Sequence, residues 1–160
     1  MCDERAACRL AAACLLVAAA GLAVSIYLTA VHYTSPKVLA CSASGIIDCD
    51  AVTTSPQSVL LGIPVTVLGI AFFVGMLVMN LPTLWRSDSP TLRWGRCAAV
   101  AAGMVFVLRL IYVEIHLVHA ICLWCTVVHA LTFALFCLVL WGTVGLAPGP
   151  NETEAGDESD

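Results

Sequence analysis

The chain has 160 residues, of which 61% are hydrophobic and only 11% charged, and its mean hydropathy is +0.96. That balance excludes an ordinary water-soluble enzyme and an intrinsically disordered chain. The formal charge of −4 is concentrated in Glu152, Glu154, Asp157, Glu158 and Asp160; the remainder stands at +1 and supplies no basic face for nucleic acid.

Residues 10–31 form the first unbroken apolar or small run, preceded by Arg5 and Arg9. A bilayer needs about 20 such residues, and a cleaved leader has an apolar region of only about 7–15, so the run reads as a retained span. Residues 32–58 are a polar outer loop with His32, Lys37, Asp48, Asp50 and the pair Cys41 and Cys49, punctuated by Ser, Thr, Gly and Pro. A second span is expected over 59–81, with Gly62 and Pro64 near its start, where a helix tolerates them. Residues 82–96 read as a second polar loop carrying Arg86, Arg93 and Arg96. The third span, 97–118, is interrupted by Arg109, whose depth calls for a partner or a polar cavity, and by Glu114. The fourth, 120–144, leaves room only for a tight turn after the third. Residues 1–146 thus read as one all-α domain, a four-transmembrane-helix bundle, and residues 147–160 as a disordered acidic cytoplasmic tail.

Four spans put both termini on one side. Arg5, Arg9, Arg86, Arg93 and Arg96 fall there and only Lys37 falls opposite, which predicts an N-in, C-in protein. Trp85, Trp94 and Trp141 then lie near the inner boundary and Trp124 near the outer one. Gly21/Ser25, Ala71/Gly75 and Ala99/Gly103 repeat small residues at a spacing that lets helices approach closely.

This topology sorts the nine cysteines. Cys2, Cys8, Cys14, Cys97 and Cys137 read as small buried or inert residues. Cys41, Cys49, Cys122 and Cys125 gather at the outer, oxidising face. Cys122 and Cys125 share a helix face near a helix start, which favours thiolate. Asp48 and Asp50 flank Cys49 and disfavour its thiolate. Three readings follow. Structural staples would add little, because Cys-x-x-Cys closes too short a loop. A zinc site has the ligand types, with His116, His119 and His129 nearby. The offset of Cys41 from Cys49 is not a common zinc spacing, however, and no metal is expected. A redox relay would carry electrons from an outside thiol to an acceptor in the bilayer, for which a quinone is the natural choice.

Several motifs together carry a resemblance: Ser25-Ile26-Tyr27-Leu28; the Cys41 to Cys49 loop with Asp48; Val52-Thr53-Thr54-Ser55; Leu61-Gly62-Ile63-Pro64 with Gly69; Tyr112-Val113-Glu114; and Ile121-Cys122-Leu123-Trp124-Cys125-Thr126. Over roughly residues 24–144 the chain resembles bacterial members of the vitamin K epoxide reductase (VKOR) family. The resemblance implies a four-helix bundle around a quinone pocket in the inner (cytoplasmic) membrane. The cofactor implied is a quinone of menaquinone, ubiquinone or vitamin K type. The activity implied is a quinone-dependent thiol-disulfide oxidoreductase that generates disulfides by reoxidising a thioredoxin-fold (DsbA-type) protein on the outer face. In these terms Cys41 meets the partner's dithiol, Cys49 shuttles to Cys122, and Cys125 passes electrons to the quinone. Ser55 matches a serine that caps the pocket, though it also suits a helix N-cap before Pro56. His129 matches a ring-bearing position at the pocket floor, though it also suits an ordinary bundle histidine. Many relatives carry a fused thioredoxin domain and this chain ends in its acidic tail, so a separate partner is expected. The segment from Cys49 to the second span is shorter than in animal relatives, which tells against vitamin K epoxide as substrate. Reduction of that epoxide or of quinone as an end in itself, and a non-enzymatic scaffold with structural disulfides, are the alternatives.

Overall fold

A computed structural model describes residues 2–34, 46–85 and 89–145. Cys41 and the acidic tail lie outside the described residues. The elements run α1 (Cys2–Thr34), α2 (Cys49–Thr53), a 3-10 turn (Pro56–Ser58), β1 (Val59–Leu60), β2 (Ile63–Pro64), α3 (Val65–Met79), α4 (Pro82–Trp85), α5 (Pro90–Val113), a π turn (Glu114–Val118) and α6 (Leu123–Gly145). Three helical stretches are long and apolar enough to cross a membrane: Ala6–Thr34, Pro90–Val118 and Leu123–Val144. In such helices a hydroxyl must be satisfied within the segment. Thr29 Oγ1 accordingly donates to Ser25 O at 2.8 Å and Thr34 Oγ1 to Ala30 O at 2.7 Å.

The second span differs from expectation. Residues 59–64 are not helical: β1 and β2 pair antiparallel with Val59 opposite Pro64 and Leu60 opposite Ile63. The two turn residues, Leu61 and Gly62, both take positive φ, +53° and +83°, the geometry of a two-residue hairpin loop. Pro64 has no N–H to extend the ladder, and α3 starts directly after it. That leaves α3 with 15 residues, about 22 Å at a rise of about 1.5 Å each, against a hydrocarbon core of about 30 Å.

Two loop boundaries also move. α1 continues through His32 to Thr34, and α5 begins at Pro90 rather than near Cys97, with Ser89 as N-cap residue and proline in the first turn. Arg93 and Arg96 therefore sit on a helix. Arg96 is buried, donates to Leu84 O at 2.9 Å and lies 4.4 Å from the centre of the Trp85 ring. Trp85 Nε1 in turn reaches Asn80 Oδ1 at 3.1 Å, and Asn80 Nδ2 closes the end of α3 on Met76 O at 2.7 Å. Arg109 lies exposed on the outside of α5 and lines none of the cavities described below, so it does not face a polar interior.

α1 packs against both α3 and α6, and α6 against α5, while α3 and α5 meet over a smaller area. The core comprises Cys14, Ala18, Phe73, Met76, Val100, Leu135 and Val139. The small residues serve unequally in this packing. A Cβ at Gly21 would overlap the Phe73 ring, and one at Gly103 would stand 2.7 Å from Phe72, whereas Gly75 has nothing within 4 Å. Aromatic rings seated on Gly21 and Gly103 thus close α3 onto α1 and, at one level, onto α5. Leu10, Trp85 and Gly142 meet at one end of the bundle, and Tyr27 meets Trp124 at the other, with ring centres 5.2 Å apart.

Candidate functional site

The end marked by Tyr27 and Trp124 is where the backbone becomes irregular and where Cys49, Cys122 and Cys125 lie. Ile47 and Ile121 form an isolated parallel bridge; Ile121 N donates to Ile46 O at 2.9 Å and Asp48 N to Ile121 O at 3.2 Å. This short ladder lays the loop leading into Cys49 against the strand leading into Cys122. Asp48 then caps α2, its Oδ1 accepting Ala51 N at 3.0 Å, so its carboxylate is committed to the helix start. Cys49 opens α2, is 2% exposed and is disulfide-bonded. Asp50 is exposed.

Cys122 and Cys125 do not share a helical face in the way their spacing suggests. Cys122 stands immediately before α6 and acts as its N-cap: its carbonyl accepts Thr126 N at 2.9 Å and its sulfur accepts Cys125 N at 3.2 Å. Both thiols are free. The Cys125 side chain donates to the Cys122 sulfur, and this holds the Cys122 thiol below its ordinary pKa, assisted by the backbone N–H groups of Cys125 and Trp124. Burial and the Glu114 charge act the other way. The unbonded N–H groups of a helix start act in the same direction as the Cys125 side chain: they favour the anion.

Cys125 lines a small cavity of about 50 Å³ together with Ser55, Thr66, Glu114 and His129. Ser55 is the N-cap residue of the 3-10 turn but does not cap it; its hydroxyl donates back to Val52 O at 2.8 Å and can still accept a hydrogen bond. His129 is buried one turn below Cys125. The same histidine borders two larger, mostly apolar cavities. One, about 510 Å³, opens between α3 and α5 and also shares Val65 and Leu110 with the small cavity. The other, about 430 Å³, lies along α5 and α6 and includes Glu114. The structure thus brings Cys125, Ser55 and His129 to one cavity and sets Cys122 behind Cys125.

Sequence reasoning missed Thr66. Thr66 lines the cavity beside Cys125, and its Oγ1 is buried without a hydrogen-bond partner, a condition that polar groups generally avoid. Threonine in the first turn of an apolar helix carries no signal of that kind. Among the described residues no group of three or more His, Cys, Asp or Glu is arranged to hold a metal; His116 instead stacks on Tyr112, ring centres 4.5 Å apart.

The buried Cys122 and half-buried Cys125 thus stand beside a small cavity with polar side chains in its lining, which shares Val65, Leu110 and His129 with a larger apolar one. No curated protein matches the chain. Residues 12–140 match the Vitamin K epoxide reductase family, over most of the length and across the motifs quoted above, and the protein belongs to that family.

Proposed function

We propose that the protein is a quinone-linked thiol oxidase that generates disulfides in a separate thioredoxin-fold partner. Family membership makes it a membrane oxidoreductase of a quinone-related kind, with several membrane-crossing helices. The finer reading rests on one observation above the rest: the Ile47–Ile121 bridge brings the Cys49 and Cys122 segments together while Cys125 faces the cavity.

Cys41 takes electrons from the partner's dithiol by exchange, and Cys49 hands them to Cys122 through a mixed disulfide. The reduced Cys49 thiolate attacks the Cys122 sulfur of the oxidised Cys122–Cys125 pair and releases Cys125; Cys41 then closes on Cys49 and releases Cys122, whose departure as thiolate the start of α6 assists. With both helix thiols reduced, the Cys122–Cys125 disulfide would re-form as two electrons and two protons pass to an acceptor in the cavity that Cys125 lines. A quinone bound there supplies the two-electron, two-proton acceptor, so one partner dithiol becomes a disulfide for each quinone reduced. Thr66, Ser55 and His129 would hold its polar end, and the apolar cavity between α3 and α5 would take its body. In this reading α3 completes a four-crossing bundle, its missing length made up by the hairpin at the outer interface. The termini face the cytoplasm, the redox end faces outward from the inner membrane, and the arginine-bearing end stays inside.

The test is purified protein in vesicles with quinone and a reduced thioredoxin-fold protein, followed by quinone absorbance. Turnover coupled to oxidation of the partner is expected. Partner oxidation without quinone reduction, or no oxidation at all, overturns the proposal.

A further inference from the structure

Glu114 is a buried carboxyl, 6% exposed, that the relay just described does not use. It sits where α5 gives way to the π turn, a local widening found disproportionately at functional sites. Its backbone carbonyl accepts two N–H groups, from left-handed His119 and from Ala120 at 3.2 Å, which turns the chain sharply. Its side-chain carboxylate lies near the backbone N–H of Cys122. One residue therefore anchors the near end of the crossing 119–122 through its carbonyl and stands beside the far end, where Cys122 enters α6. Among the described residues no Lys or Arg lines either cavity that Glu114 borders. A carboxylate buried without a cation is costly, and one facing an exchange pair acts on it through its charge.

We infer that Glu114 is a positioning residue of the Cys122/Cys125 pair: it pins the turn that makes Cys122 the cap of α6, and its charge sets how readily the pair accepts electrons. The inference rests on the reading of Cys122/Cys125 as the exchange pair. The oxidised pair carries no charge, whereas the reduced pair holds a thiolate at high pH. A neighbouring negative charge penalises only the thiolate and so keeps the pair less oxidising than the helix start alone would make it.

The test is a redox equilibrium of the full-length protein in detergent, with no quinone and no partner. Dithiothreitol reduces the Cys122–Cys125 disulfide to the dithiol and becomes its own cyclic disulfide. Samples are acid-quenched, alkylated under denaturing conditions and read by peptide mass. Glu114→Gln keeps the size and an acceptor oxygen but removes the charge. Its equilibrium should move toward the dithiol by about tenfold at pH 8, where a thiolate exists, and by less than about twofold at pH 5, where both thiols are protonated. The other titratable groups nearby are Cys125 and His129 on α6, His32 on α1, Asp48 and Asp50 at α2, and His116 on the π turn; they are common to both proteins, so the difference isolates Glu114. A shift equal at both pH values, or none, overturns the inference. If the Gln variant does not fold, Glu114→Asp decides. With the charge kept but withdrawn from the Cys122 N–H, it should hold the wild-type equilibrium while exchanging about tenfold more slowly; wild-type exchange rate or a displaced equilibrium overturns it. Failure of quinone reduction in vesicles would sink the proposed function and leave this measurement standing.

Discussion

The two halves of the bundle use the same residue types to opposite effect. Cys14 and Cys122 are both fully buried. Cys14 lies mid-helix among Ala18, Phe73 and Met76, where the backbone donors of α1 are already spent on α1 itself. Cys122 precedes the first turn of α6, whose donors are free, and it receives one of them at 3.2 Å. The buried charges divide in the same way. Arg96 is locked by Leu84 O and the Trp85 ring, while Glu114 holds a π turn at the edge of two cavities. Burial alone therefore does not distinguish the two ends; unfinished backbone does.

The comparison is broken most directly by exchanging the two cysteines for alanine in turn. Cys122→Ala should lower partner oxidation in vesicles by about 10³-fold or more, as loss of a covalent participant does, whereas Cys14→Ala should stay within about twofold. Cys125→Ala should also stop turnover and, by removing the resolving thiol, trap a Cys49–Cys122 bridge that non-reducing peptide mapping detects. A Cys41–Cys122 bridge instead would reverse the two loop roles.

Smaller losses should follow from the polar lining. Substituting His129→Phe or Ser55→Ala should slow the quinone step by about 10²-fold where the lost contact acts on developing charge. Thr66→Val should cost about two- to tenfold, the worth of one neutral hydrogen bond. All three should leave the Cys49 disulfide formed. Unchanged turnover at saturating quinone would remove the residue concerned from the site.

Much of this architecture was legible in the sequence, but unevenly. The apolar runs marked the helices because membrane spans must be long and continuous. The start of α3 was hidden, since Gly62 and Pro64 suit a first helical turn as well as a hairpin, and only the positive φ of Leu61 and Gly62 separates the two. Ser89-Pro90 was a readable helix start, overlooked because Arg93 and Arg96 suggested solvent; a guanidinium under a tryptophan ring has no such need. Cys-x-x-Cys announced chemistry but not the cap geometry that polarises it. Thr66 became visible only once the fold left its hydroxyl without a partner.

The packing half gives a sharper contrast at lower cost. Gly21→Ala must displace the Phe73 ring and should destabilise the bundle by about 1–3 kcal/mol. Gly75→Ala meets nothing and should be neutral within about 0.5 kcal/mol. Thermal unfolding in detergent reads both, and redox equilibria of Cys122/Cys125 should be indifferent to either.

The smallest effect expected is a shift in a pH profile. Cys122 is held below the ordinary thiol pKa, first by the Cys125 side chain and then by backbone N–H groups at the start of α6. A lowered value means that its thiolate, and the stabilisation that goes with it, are present above the unfolded-chain value and are lost only as pH falls through the lower folded value. In a Cys49→Ala background, which leaves Cys122 without its loop partner, exchange with a small disulfide should therefore persist below about pH 8.5, where a free cysteine fades. Adding Cys125→Ala removes the largest contribution but leaves the backbone donors in place. The midpoint should rise, yet not by as much as unfolding the protein raises it. A midpoint that returns fully to the unfolded value would assign the whole effect to the Cys125 sulfur. One that does not move would assign it to the helix start alone, and in either case the contrast with Cys14 would rest on a single group rather than on two acting together.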